Sequence, residues 1–337
     1  MMKFYKFIFF NTMILGTLIS ISSLSWFSMW MGLEINLLSI IPLLSNYSNS
    51  LTAESAIKYF ITQTMASSIL LFSLIILMSN LNFIPMEFNK FLMMMINSSF
   101  FIKMGAAPFH FWFPEIIEGL SWMNCLIMMT IQKIAPMILL TYTLTSSMFL
   151  NIIIISSSLI GSMMGLNQTS LRKILAYSSI NHMSWMLTAM LYSISLWFMY
   201  FFIYSIISIS IIYMFNIHNS FHIKQFYNSI NKMKIMKMFF MTNFLSLGGL
   251  PPFLGFLPKW MVINFLVFNN FYFTALMIIL LTLITLYFYL RMSFSTMTIN
   301  KKEFMNIFYK KYNFWMILFN GINILSLMIC TLIFYLM

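Results

Sequence analysis

KMGAAPFHFWFPE, residues 103–115, follows directly on FLMMMINSSFFI, an apolar run suited to crossing a membrane. Lys103 and Pro108 are both costly in that setting. A central charge costs about 2.5 to 3.5 kcal/mol on the insertion scale, and an interior proline removes a backbone hydrogen bond and kinks the helix. A plain anchor would carry neither, so the pair implies an internal site.

Working outward, the composition sets the class. The chain has 337 residues, 61% hydrophobic and 7% charged, with a mean hydropathy of +0.91. Soluble domains carry about 25% charged residues. An all-α polytopic membrane protein is expected. The first apolar segment starts within a few residues of Met1 and has no small-residue cleavage site, so it reads as a retained helix rather than a signal peptide. Met (36) and Phe (38) are abundant, Asp is missing, and only two Arg occur, Arg172 and Arg291. That bias points to a very AT-rich gene and, through the Met excess, to a mitochondrial code. Cys125 and Cys330 lie in apolar segments and read as small buried hydrophobes.

A span needs about 20 mostly apolar residues. That rule gives about eleven, near 4–23, 26–45, 57–79, 91–119 (broken), 121–143, 148–166, 171–191, 194–217, 238–268 (broken), 271–293 and 314–336. No linker divides them, so residues 1–337 read as one domain. With the amino terminus on one side, fourteen of the fifteen Lys and Arg at span ends and loops fall on that same side, and Lys90 alone on the other. By the positive-inside rule that side is the matrix, which puts the carboxyl terminus in the intermembrane space. The net charge of +12 therefore marks topology and not nucleic-acid binding. Trp26, Trp30 and Trp122 near span ends read as interfacial anchors.

Three lysines are left over, Lys103, Lys133 and Lys259, together with Glu34 and His182 inside spans. Lys103 and Lys133 each lie 12 residues into their spans, roughly 18 Å deep. Breaks accompany them. Gly105 and Pro108 loosen the turn after Lys103, and Pro108 cannot bond the carbonyl of Met104. In LSLGGLPPFLGFLPKW, residues 245–260, Gly248, Gly249, Pro251 and Pro252 form a second break, which frees the carbonyls of Leu247 and Gly248 shortly before Lys259. Irregular backbone at membrane depth survives only inside protein or beside a wet cavity. The broken span is fourth in each set of five, which suggests inverted repeats, about 4–143 and 148–293, with an extra helix at about 314–336.

Titratable groups held away from water can gain or lose a proton near neutral pH when a neighbouring charge changes. Glu34, Lys103, Lys133, His182 and Lys259 are the candidate proton path. The plainer alternative makes Glu34 and Lys103 a structural ion pair and His182 a hydrogen-bonded group in a polar pocket. His218 and His222 have the i, i+4 spacing of metal ligands, but no third ligand accompanies them. Gly161 and Gly165 form a small-residue motif that reads as close packing within the bundle or against a sister subunit. No dinucleotide fingerprint, cysteine cluster or paired carboxylate is present, so no catalytic, cofactor-binding or metal-binding residue is assigned.

Six stretches carry a family resemblance: WMGLEINLLSIIPLL (30–44), ESAIKYFITQ (54–63), KMGAAPFHFWFPE (103–115), QKIAPM (132–137), GLNQTSLRKILAYSSINHMSWM (165–186) and LSLGGLPPFLGFLPKW (245–260). In order and over most of the chain, they closely resemble the mitochondrially encoded chain 2 family of NADH:ubiquinone oxidoreductase, respiratory complex I. The AT-rich bias is similar to that of its insect members. The resemblance implies an antiporter-like membrane-arm subunit, shortened by three amino-terminal helices, in the mitochondrial inner membrane. It implies proton-path roles for Glu34, Lys103, Lys133 and Lys259, and for His182 as in many members. It also implies that FMN, iron–sulfur clusters and ubiquinone bind other subunits. The expected partners are the other membrane-arm subunits, sister antiporter-like chains among them, and lipids such as cardiolipin. Two readings compete: a cation/proton antiporter subunit, and a structural subunit that spaces its neighbours without pumping.

Overall fold

The computed structural model describes residues 4–45, 49–79, 86–144, 147–230, 234–298 and parts of 314–323. Among them the regular elements are all helices: α1 Phe4–Ser22, α2 Trp26–Leu44, α3 Ser50–Ser79, α4 Met86–Met104, α5 Trp112–Gly119, α6 Trp122–Met129 and α7 Ile131–Thr141. They continue with α8 Ser147–Gly165, α9 Leu171–Tyr192, α10 Ile194–His218, α11 Ile223–Ile230, α12 Lys234–Gly248, α13 Phe256–Phe268 and α14 Tyr272–Thr298. Among the described residues, seven helical segments are long and apolar enough to cross a membrane. In the two broken spans, α4 is long enough but carries Glu87, Lys90 and Lys103, while α12 and α13 are each too short because their span is split. α9 falls short because it carries Ser178, Ser179, Asn181, His182, Ser184 and Thr188. The expected helix at 314–336 lies largely outside the described residues, as does Cys330.

The chain divides into two compact units, Met1–Ile153 and Ile154–Met337. In the first, α1 and α2 cross so closely that a Cβ on Gly32 would stand 2.6 Å from Ser20 N. Lys58 on α3 pairs with Glu115 on α5 at 3.1 Å, tying the second half of the broken helix to its neighbour. Trp122 is buried at 2% exposure, so it is a packing residue and not the interfacial anchor its position suggested. Cys125 is fully buried.

In the second unit α9 is enclosed on every side, each residue from 174 to 190 being buried. A helix that carries so many hydroxyls and amides needs that enclosure, because lipid offers them no partner. Gly161 is where α8 meets α9: an added Cβ would sit 2.8 Å from Asn181 N and 2.9 Å from Tyr177 O. The small-residue motif therefore serves packing within the chain. His218 lies edge-on to Phe226, and His222 forms an isolated bridge with Ser170.

Candidate functional site

Both expected breaks are present, and they share one design. α4 ends with Gly105 at φ +73°, its N–H donating to Phe101 O (3.0 Å) and Ile102 O (3.2 Å), while Ala106 N–H reaches Phe101 O at 3.1 Å. α12 ends with Gly249 at φ +77°, bonding Leu245 O and Ser246 O at 3.1 Å, while Leu250 N–H reaches Leu245 O at 3.3 Å. This is the Schellman stop, which needs a left-handed residue just past the helix and so favours glycine. A turn follows in each, Phe109 N–H to Ala106 O at 2.8 Å and Phe253 N–H to Leu250 O at 2.9 Å. The peptide bond between Ala107 and Pro108 is cis.

Lys259, in the first turn of α13, reaches back over its break. Its Nζ donates to Leu247 O at 3.2 Å and Gly248 O at 2.9 Å, the two carbonyls that Pro251 and Pro252 leave free. The ammonium also lies 5.8 Å from the ring centre of Trp185 on α9. One turn from Trp185, His182 meets Tyr200 Oη through Nδ1 at 2.9 Å and packs its ring 5.2 Å from that of Tyr204.

Lys103 is arranged differently from expectation. Its ammonium does not bond a carbonyl freed at its own break. Trp112 Nε1 takes Ile102 O at 3.0 Å, and Gln63 Nε2 takes the carbonyl of Lys103 at 3.4 Å. Glu34 and Lys103 do not form a direct ion pair within 4.0 Å. Glu34 lies near the middle of α2, half-buried, with Oε1 buried and accepting no hydrogen bond among the described residues.

Lys133 exposes an interruption that the sequence reading missed. The span expected to run unbroken over 121–143 divides at Thr130 into α6 and α7. Pro136 inside α7 cannot bond the carbonyl of Gln132, and the chain tightens so that Lys133 N–H takes Thr130 O at 3.1 Å. Lys133 is 1% exposed and lies 5.1 Å from the ring centre of Phe113 on α5. Lys103, Lys133 and Lys259 thus each stand within about one turn of a helix interruption.

Residues 23–285 match the family described as NADH:quinone oxidoreductase/Mrp antiporter, TM. NADH-ubiquinone oxidoreductase chain 2 of Anopheles gambiae is 51% identical over the whole of both chains. The chain belongs to the NADH-ubiquinone oxidoreductase chain 2 family. The fold also resembles a chain of respiratory complex I from Thermus thermophilus, with a TM-score of 0.84 and 19% identity, covering 96% of this chain and 79% of that one. A chain of the Mrp complex from Dietzia sp. DQ12-45-1b matches with a TM-score of 0.74 and 15% identity, covering 83% of this chain and 58% of that one.

In this chain 2 family member, sequence reasoning passed over a group of neutral polar residues beside Lys103. Asn36, Tyr59, Gln63 and Gln132 are all buried. Tyr59 Oη donates to Gln132 Oε1 at 3.3 Å, and Gln132 Nε2 donates to Asn36 Oδ1 at 2.8 Å. Asn36, Tyr59, Gln63 and Gln132 lie in the quoted motifs, but a search for buried charge does not reach amides and phenols. Among the described residues, no group of three or more His, Cys, Asp or Glu is placed to hold a metal.

Proposed function

We propose that the chain is a core membrane-arm subunit of the proton-translocating NADH:ubiquinone oxidoreductase of the mitochondrial inner membrane. Its share of the work is to move protons, coupled to electron transfer from NADH to ubiquinone. The route uses Glu34, Lys103, Lys133, His182 and Lys259. The observation that carries this reading is the burial of Lys103, Lys133 and Lys259, each beside an interrupted helix, in a chain 51% identical to a named chain 2. A buried ammonium is retained in an apolar bundle only where something compensates it, and an interrupted helix supplies free carbonyls and access for water.

In the same proposal the two breaks belong to inverted repeats. The amino terminus faces the matrix and the carboxyl terminus the intermembrane space, in keeping with the charge asymmetry. Sister antiporter-like subunits and anionic lipids such as cardiolipin adjoin the chain, and FMN, iron–sulfur clusters and ubiquinone belong to other subunits.

The test is native separation of inner membranes in mild detergent, with an antibody to this chain and an in-gel stain for NADH oxidation. Co-migration with a very large, flavin-containing, ubiquinone-reducing band is the expected result. Migration as a small, redox-silent particle would overturn the assignment and favour a cation/proton antiporter subunit.

A further inference from the structure

A cavity of about 10 Å³ lies beside Lys103, among α2, α3, α4 and α7. That is about the space one water needs, and a water so held also needs two to four polar partners. Asn36, Tyr59, Gln63, Lys103 and Gln132 line it, none more than 9% exposed. The hydrogen bonds among them leave a definite pattern of unused capacity. Tyr59 has one proton, and it goes to Gln132 Oε1. Gln132 is held at its other end, because Nε2 donates to Asn36 Oδ1. The Tyr59 oxygen therefore has lone pairs left and no proton to offer. Lys103 has the opposite need. It brings three N–H donors and no acceptor, and among the described residues none of them bonds a protein oxygen. A residue that brings a cation and one that brings an acceptor oxygen thus line one water-sized space, in surroundings where an uncompensated ammonium is costly.

We propose that this cavity is a site for one water molecule, which accepts from Lys103 Nζ and donates to Tyr59 Oη. Gln132, clamped by Asn36, is a positioning residue: it takes the Tyr59 proton and so keeps the phenol oxygen an acceptor toward the cavity. The water site stands on its own geometry, and only its consequence for pumping rests on the proton-path reading. In that reading the water is the group through which Lys103 is solvated and exchanges its proton.

The experiment is a density map of the intact complex, at a resolution that shows other buried waters, for wild type, Tyr59→Phe and Gln132→Leu, with proton translocation measured on each. Expected in wild type is a peak within hydrogen-bond reach of Lys103 Nζ and Tyr59 Oη. It should vanish in Tyr59→Phe, which keeps the ring and so the packing, and weaken in Gln132→Leu. Translocation in Tyr59→Phe should fall about threefold to tenfold, the range for one lost hydrogen bond. No peak in wild type, or an undiminished peak in Tyr59→Phe, overturns the inference. A peak that behaves as expected while Lys103→Met pumps normally would leave the water site standing and overturn the proton-path reading instead.

Discussion

The break at residues 104–112 and the break at 248–256 use one backbone device for two purposes. Gly105 is answered by Gly249, Ala106 by Leu250, Pro108 by Pro252 and Phe109 by Phe253, with the same stop and the same following turn. They differ in what covers the exposed carbonyls. At the second break a cation does it: Lys259 folds back onto Leu247 O and Gly248 O. At the first, the carbonyl of Lys103, which corresponds to that of Leu247, is covered by the neutral amide of Gln63. Lys103 precedes its break and lines a polar cavity, whereas Lys259 follows its break and is held by backbone. The lesson is that an interrupted helix can either bind a buried cation on its free carbonyls or leave it beside a polar cavity, depending on which side of the break the lysine stands.

The comparison breaks most sharply at Gly255 and its counterpart Phe111. A Cβ at Gly255 would lie 1.8 Å from the backbone oxygen of Ser246, which has no flexible end to yield. Gly255→Ala should exceed the usual cost of overpacking, about 1–3 kcal/mol, and deplete the assembled complex on a native gel. Phe111 is 72% exposed, so Phe111→Ala should leave assembly near wild type.

The two lysines give the next largest contrast. Lys259→Met strips the partner from two buried carbonyls, at about 1–3 kcal/mol for each group left unpaired. Lys103→Met unpairs no carbonyl and should cost less thermal stability, as unfolding of the purified complex would record. Gln63→Leu sharpens the same point, since it unpairs only the carbonyl of Lys103 and should fall between the two. A small effect is expected for Tyr200→Phe, which removes the hydroxyl partner of His182 Nδ1 and should cost about 1 kcal/mol. Equal stability of Lys103→Met and Lys259→Met would erase the distinction between the two breaks.

Much of this was legible in the sequence, for physical reasons. Gly105 with Pro108, and Gly249 with Pro251 and Pro252, are helix stops readable from residue type alone, because backbone freedom and a missing N–H are properties of the residue itself. Leu247 and Gly248 followed by counting four back from each proline. The interruption at Thr130 was missed because Pro136 acts there through a displaced turn several residues upstream. The Asn36–Gln132–Tyr59 chain was missed because its contacts join residues far apart in sequence and carry no charge. The helix expected over 171–191 is present as α9, and the structure explains how so polar a helix persists: it is buried on all sides. The suggested pairing of Glu34 with Lys103 failed because spacing along two helices does not fix the distance between two side-chain tips.

The central claim is that Lys103 and its companions carry the protons of the complex. The most direct measurement is the number of protons translocated per NADH oxidised, in sealed vesicles holding fully assembled complex with Lys103→Met. The account predicts a lower ratio than wild type. An unchanged ratio in assembled complex would contradict it and leave the chain a structural spacer.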